Sequence, residues 1–409
     1  MATSDLNPRV PSVGQDPREQ SSVVEPPQKT FFRELDEAVI EADRCIQCGT
    51  CVAACPSDSI GIDALEERPT LVRMCTGCSR CWDFCPRSGL RYEKLLSMQD
   101  SDRPQNVGGT YAARPHDSDT RAVGQDSGAV TALLAELIEE EYIDGALVAR
   151  SSEASPLKGG AYLATSRSEL LEAAGSYYNQ TMQLGELDRQ IAEADFEDPA
   201  IAIVGTPCVI QGVAALERYQ WENEVSPIEL TIALMCTRTF GWDRLEAQLA
   251  SHGVDPTELA RLDVTEGTLY GYDATGEVQL ETPVDSFDGA ALTGCAECAD
   301  FLGGAADISA GNVGTPDGTT TMVIRTERGE AAWSIASDAL AAEPIETPET
   351  LSRLDAWNQR RAQEALPRTF DSDGSLTISY ESHRAAFDGT DRAPQPLNPA
   401  RVYQYEEWC

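Results

Sequence analysis

Apolar residues recur along residues 121–335 with two different periods. In RAVGQDSGAVTALLAELIEEEYIDGALVAR, Val130, Leu133, Leu134, Leu137 and Ile138 fall at i, i+3, i+4, i+7 and i+8, the spacing of one helix face. That spacing predicts an amphipathic helix with Asp126 or Ser127 as N-cap and Gly145 past its end. GALVAR then reads as a strand, and strand-like runs continue at AYLATS (161–166), AIAIVGTP (200–207) and IELTIALMC (228–236), with helices between them, notably VIQGVAALERYQ. Continuous apolar strands alternating with amphipathic helices need a sheet covered on both faces, so the fold class is α/β. Helix GWDRLEAQLASHG follows, and LDVTEGTLYGYDATGEVQLET alternates around Ala274-Thr275-Gly276, which predicts an antiparallel hairpin. The strand TTTMVIRT closes a Gly-rich stretch, and LSRLDAWNQRRAQEALPR reads as a last helix.

Outside this core the pattern thins. Residues 1–30, rich in Pro, Ser, Gln and Asp, read as a disordered tail. FFRELDEAVI is a short amphipathic lead-in to a module at 31–100, and the Gly/Asp/Pro-rich SDRPQNVGGTYAARPHDSDT (101–120) reads as a linker. Residues 336–409 add a helix and a tail to which the pattern gives no role.

Composition narrows the function classes. A chain of 409 residues has length for two or three domains and a sizeable core. The net charge is -37, and Lys29, Lys94 and Lys158 are the only lysines. Such a carboxylate excess repels itself in dilute salt and keeps a protein dissolved when charge is screened, the surface expected of a halophile. No basic stripe exists to neutralise phosphates, which argues against nucleic acid. His116, His252 and His383 are the only histidines, and none stands near a Ser or Asp partner motif, so a His-based hydrolase is not expected. With no apolar leader, no twin Arg and no run approaching eighteen apolar residues, a cytoplasmic protein without a transmembrane segment is expected. Thirteen cysteines fit that reducing interior better than a disulfide framework.

Eight of those cysteines carry the chemistry. The stretch RCIQCGTCVAACPSDSIGIDALEERPTLVRMCTGCSRCWDFCPR writes C-x2-C-x2-C-x3-C-P twice. Thiolates are soft donors suited to iron-sulfur clusters, and this run holds a pair of 4Fe-4S centres in bacterial-type ferredoxins. Three sulfurs on a tight loop converge on one cube while the fourth, before Pro, ligates the neighbour. Cluster one is therefore expected on Cys45, Cys48, Cys51 and Cys85, and cluster two on Cys75, Cys78, Cys81 and Cys55. Gly49 and Gly77 suit backbone packed against a cluster. A pair of zinc sites is the rival, though zinc takes four ligands in one tetrahedron and rarely leaves a repeated Cys-Pro exit.

Cys208, Cys236, Cys295 and Cys298 lie outside the repeat. Cys208 and Cys236 each end an apolar strand, where parallel sheets place ligands, and the C-x2-C loop at 295–298 can come over the same edge. One more cluster, a zinc site, or buried cysteines acting as small hydrophobes all remain open on spacing. The loop GQDSG precedes a helix and offers free N-H groups to a phosphate, and equally suits an ordinary capped helix.

Taken together, CWDFCPRSG, GQDSGAVTALLAELIEEEYIDGALV, AAGSYYNQ, AIAIVGTPCVIQG, LMCTRTF and CAECADFLGGAADISAGNVGTPDGTTTMVIRTERG resemble the coenzyme F420 hydrogenase/dehydrogenase beta-subunit family over residues 40–335. The resemblance implies a ferredoxin domain followed by a mixed α/β core that binds FAD and exchanges hydride with the deazaflavin coenzyme F420. It implies that Gln125, Asp126, Ser127, Gly128 and Thr131, with Gly175, Ser176 and Tyr177, contact FAD, and that Thr206 and Pro207 lie beside the flavin. By the same likeness Cys208, Cys236, Cys295 and Cys298 become ligands of a third 4Fe-4S cluster. Ser127, where the family often has Gly, and Val209, where Gln is usual, depart from the pattern.

The expected chemistry follows from the cofactors: the deazaflavin moves electron pairs as hydride, a 4Fe-4S cluster moves one electron, and a flavin converts between them. Electrons would pass to an acceptor or donor protein, a ferredoxin or a partner subunit of a redox complex. Two alternatives share the build: a ferredoxin-dependent flavin reductase of an organic substrate, and a non-catalytic electron-transfer subunit. Arg150, Lys158 and Arg238 are candidate contacts for anionic F420, each equally readable as an ordinary surface charge.

Overall fold

The computed structural model describes residues 29–390 and 393, except 64–65, 103–107, 154, 219–226, 347 and 367–372. The tail read at 1–30 therefore lies outside the described residues up to residue 28. Strands β1 (Ile60–Asp63) and β2 (Arg68–Leu71) form an antiparallel ribbon between the two cysteine runs. The core contributes β3 (Gly109–Pro115), β4 (Gly145–Ser152), β5 (Ser155–Ala164), β6 (Ile201–Gly205) and β7 (Ile228–Leu234). After them come β8 (Arg261–Thr265), β9 (Thr268–Tyr272), β10 (Val278–Pro283), β11 (Ile308–Gly311), β12 (Thr320–Ile324) and β13 (Leu340–Pro344).

Eight of these make one mixed sheet in the order β13-β3-β12-β11-β7-β6-β4-β5. Its centre, β11-β7-β6-β4, is parallel, and the flanking pairs are antiparallel. The expected two-sided burial is visible within β6, where all five residues are buried. Ile201 and Ile203 pack on one face with Val209 and Val213 of the helix Pro207–Arg218. Ala202 shares the other face with Leu133, Leu134 and Leu137 of the helix Ala129–Glu139. β8, β9 and β10 form a separate antiparallel meander, one strand more than the predicted hairpin.

The module at 31–100 does not stand apart. Ile46, Cys48, Ala54, Phe84 and Leu90 share a buried cluster with Ile203, Val209 and Leu292, so the Cys48 side of the module packs against one face of the sheet.

Several expectations need correction. The linker at 101–120 contains β3, which pairs with β12 on one side and β13 on the other, and the helix Ser118–Val123. Its polar composition hid a strand whose partners lie over two hundred residues away. The core does not stop at 335, because β13 is the sheet's edge. The helix Ala129–Glu139 is capped by neither Asp126 nor Ser127: Gly128, in the left-handed region at φ 81°, is its N-cap, and Gly145 opens β4.

Candidate functional site

The two cysteine runs fold alike. Each ends in a one-turn helix, Thr50–Ala53 or Arg80–Asp83. In each, the second and fourth residues after the first Cys are left-handed: Gln47 (φ 52°) and Gly49 (φ 83°), then Gly77 (φ 70°) and Ser79 (φ 69°). This winding turns backbone donors onto sulfur. Gln47 N–H donates to Cys45 Sγ and Gly77 N–H to Cys75 Sγ, both at 3.4 Å. Arg87 N–H donates to Cys85 Sγ at 3.4 Å and Ser59 N–H to Cys55 Sγ at 3.2 Å. Gly49 is required twice over, since a Cβ there would also meet Gly185 N at 2.5 Å and Met182 O at 2.6 Å.

The two runs also lie against each other. Cys51 lies in the electrostatic field of Cys45, Cys48 and Cys85, and Cys81 in that of Cys78, Cys75 and Cys55. Cys45, Cys48, Cys51 and Cys85 line a common cleft with about 340 Å³ of free space, its mouth included, walled by Leu35, Val39, Ile40 and Pro69. Burial pushes the Cys45 thiol up to about 12 and Cys85 to about 11. A buried thiol resists ionisation, and a bound metal inverts that preference. The twelve described cysteines are free, so none is consumed in a disulfide.

The four remaining thiols meet at the carboxyl edge of the sheet. Cys208 begins the helix after β6, Cys236 follows β7, and Cys295 and Cys298 come from the turn Thr293–Glu297 and its end. Cys236 lies in the field of Cys295 and Cys298, and Cys208 in that of Cys298 and of Cys48 in the first group. Beside them Arg361 donates through Nη2 to Thr237 O at 2.7 Å and Cys295 O at 3.0 Å. Its buried Nε has no hydrogen-bond partner among the described residues. A soft donor set with an unspent cationic donor beside it fits an anionic iron-sulfur cluster. Among the described residues no three His, Cys, Asp or Glu side chains gather as a single metal ion would need. A cube of four irons takes one thiolate per iron and so holds its ligands farther apart.

Next to this third group opens a cleft of about 1050 Å³ of free space, its mouth included. Of the residues predicted to hold a cofactor, Gln125, Asp126, Gly128, Thr131, Gly175, Ser176, Tyr177 and Thr206 line it. Ser127 turns away, its hydroxyl donating to Ala113 O and meeting Thr320 Oγ1, and Pro207 opens a helix instead of the wall. The loop holding Asp126 is left-handed at φ 52° and is braced by Gln125 Nε2, which donates to Asp263 Oδ1 at 2.8 Å and to the Tyr178 hydroxyl at 3.1 Å. Burial, then the neighbouring Asp263, pushes the Asp126 carboxyl up to about 6. The wall and the thiols are joined directly: Thr206 Oγ1 lies 3.1 Å from Cys208 Sγ, and Gln180 Nε2 donates to both, at 3.0 and 3.3 Å. Sequence reasoning missed Gln180, although it ends the AAGSYYNQ run.

Residues 110–187 and 198–348 match the N-terminal and C-terminal parts of the coenzyme F420 hydrogenase/dehydrogenase beta subunit, and residues 37–104 a 4Fe-4S dicluster domain. The coenzyme F420 hydrogenase subunit beta of Methanosarcina barkeri is 30% identical over 58% of this chain and 81% of its own length. The chain belongs to the F420 hydrogenase/dehydrogenase beta-subunit family. A second relative, the coenzyme F420-dependent sulfite reductase of Methanocaldococcus jannaschii, is 32% identical over 71% of this chain, which spans only 46% of that relative. A chain in the structure of the F420-reducing [NiFe] hydrogenase complex from Methanosarcina barkeri superposes with a TM-score of 0.59 at 26% identity, covering 66% of this chain and 96% of that one.

The three cations considered for F420 are engaged locally. Arg150 lies 3.5 Å from the centre of the Tyr162 ring, Lys158 pairs with Glu67, and Arg238 pairs with Asp288. No helix among the described residues is long and apolar enough to cross a membrane.

Proposed function

We propose that this chain is an iron-sulfur flavoprotein oxidoreductase that exchanges hydride between coenzyme F420 and FAD and passes electrons singly through 4Fe-4S clusters to an acceptor protein. Its thiols suit a reducing, cytoplasmic compartment. One observation carries the reading: the cleft wall and a ligand-competent thiol touch, through Thr206, Gln180 and Cys208. A pair-to-single electron converter needs that adjacency, because its organic part and its iron must sit side by side.

FAD, when bound, supplies the step between two-electron and one-electron chemistry, and the clusters supply the conduit. The chain's own residues do the rest. Gln125, Gly128 and Thr131 offer the helix start and polar groups to the cofactor, while Gly175 (φ 133°) lets backbone approach it without a side chain between. Leu134, Val148 and Leu170 give the cleft apolar walls that exclude water from the reacting faces. Cys208 would hold the third cluster beside the cleft, with Cys48 of the first group next to it, and Cys51 and Cys81 would bring the first and second together.

Anaerobic reconstitution tests this. About twelve irons and one FAD per chain are expected from three four-iron centres. The loaded protein should bleach a one-electron dye when given reduced F420. If flavin-replete protein leaves the dye unchanged, the F420 assignment is wrong; if no flavin binds, the chain is an electron-transfer subunit only.

A further inference from the structure

Between the first and third thiol groups lies a buried cation that reaches both. Arg87 follows the second Cys-Pro and is 5% exposed. Its N–H donates to Cys85 Sγ, fixing it to the first group. Its guanidinium points the other way, with Nε donating to Gly294 O at 2.7 Å on the turn that carries Cys295. There it lies in the field of Cys298, Cys208 and Cys295, and Cys208 in turn feels Cys48.

The local charge count makes the placement consequential. Glu297, a carboxylate in the field of Arg87, is held through both oxygens by Arg44 Nε and Nη2 at 2.8 and 2.7 Å. Arg44 thus takes up Glu297, and Asp300 beside Cys298 is bonded by the neutral Gln211 and Gly304 N–H, which leaves Arg87 as a cation turned toward the sulfurs. Arg361 offers an internal comparison, since its thiol neighbours are Cys298, Cys295 and Cys236 of the third group.

We propose that Arg87 is a positioning residue that couples the first and third centres electrostatically, one fixed cation raising the reduction potential of both together. This rests on reading both groups as cluster ligands. Each centre gains one negative charge when reduced, and a guanidinium in a poorly solvated seam stabilises that charge without losing its own proton. The electron that leaves one centre for the other stays beside the same cation, so the step between them is not opposed by separating it from its counter-charge.

The test is a potentiometric titration, followed by electron paramagnetic resonance, on reconstituted full-length protein. Arg87→Gln should lower two of the three midpoint potentials, Arg87→Lys should bring both back toward the parent values, and Arg361→Met should lower only one. Iron content is measured first. A parent protein that binds no third cluster defeats the ligand reading itself, before any variant is compared. If the parent carries all three centres and Arg87→Gln leaves the potentials unmoved, or moves one alone, the coupling is refuted. Should Arg87→Gln shed iron, Arg87→Met is titrated in its place: iron retained with two lowered potentials supports the coupling, whereas unmoved potentials, one moved alone, or iron lost again refute it in favour of a purely structural role.

Discussion

The Asp126 carboxyl shows how a single side chain is bent to a cleft. Burial and Asp263 raise it to about 6, while the hydrogen bond from Asn312 Nδ2 at 3.3 Å and the charge of Arg261 oppose the rise. An acid whose folded value lies above its unfolded one stabilises the fold below the unfolded value, and that contribution is lost as pH climbs through the folded value. For Asp126 the window runs from about 4 to about 6. Asp126→Asn keeps the acceptor for Asn312, suits the left-handed backbone and removes the anion. It should stabilise the protein on the order of 2 kcal/mol at pH 8 and not at pH 4, read from urea unfolding at both. Gly49→Ala should do the opposite at every pH. A side chain at φ 83° costs about 1–3 kcal/mol before its collision with Gly185 N is counted, so thermal midpoint and iron content should fall together. The two cysteine runs were legible from spacing as a 4Fe-4S dicluster module. Arg44, Arg87 and Gln180 were not, because a lone polar residue has no period, and only the folded chain brings each to a sulfur or a carboxylate.

Elements with a strong period were equally legible. β6, β7 and the helix Ala129–Glu139 stand where alternating apolar runs put them. The helix read in LSRLDAWNQRRAQEALPR is present as Glu349–Ala365, whereas β3 and β13 were missed because their partners are distant in sequence. The helix Tyr380–Phe387 is the sharper case. It packs on the cysteine module, with Trp82 Nε1 donating to Ile378 O at 2.8 Å and the Tyr380 and His383 rings each edge-on to Trp82 at 5.2 Å. Phe387 places its ring 4.6 Å beneath the Arg44 guanidinium. Arginine carries only donors, so His383 Nε2 accepts the 2.9 Å bond from Arg44 Nη1. Phe387→Ala should cost about 3–4 kcal/mol, as buried aromatics do. Calorimetry should show the lower midpoint, and iron release on mild warming should accelerate, because the lost ring backs the segment that carries Cys45.

The whole molecule is governed by 68 acidic side chains against 31 Lys and Arg. Self-repulsion on that scale falls as the screening length shrinks, from about 10 Å at 0.1 M salt to about 3 Å at 1 M. Raising potassium chloride across that range should raise the melting temperature by several degrees; an unchanged melt would show that the charge is neutralised within the fold. The buried Arg44–Glu297 pair should persist throughout, being shielded from the added ions. Charge, fold class and cysteine plan were therefore readable at this scale, whereas the fusion of module, sheet and tail was not. That fusion has a consequence for biosynthesis. Arg44 grips partners 253 and 339 residues further along, so its contacts wait for nearly the entire polypeptide to leave the ribosome. At roughly 5–20 residues per second, Cys45 emerges about twenty seconds to a minute before His383. For most of that interval the eight thiols lack the helix Tyr380–Phe387 that packs on Trp82 between them, so the module meets its last described packing partner late in synthesis.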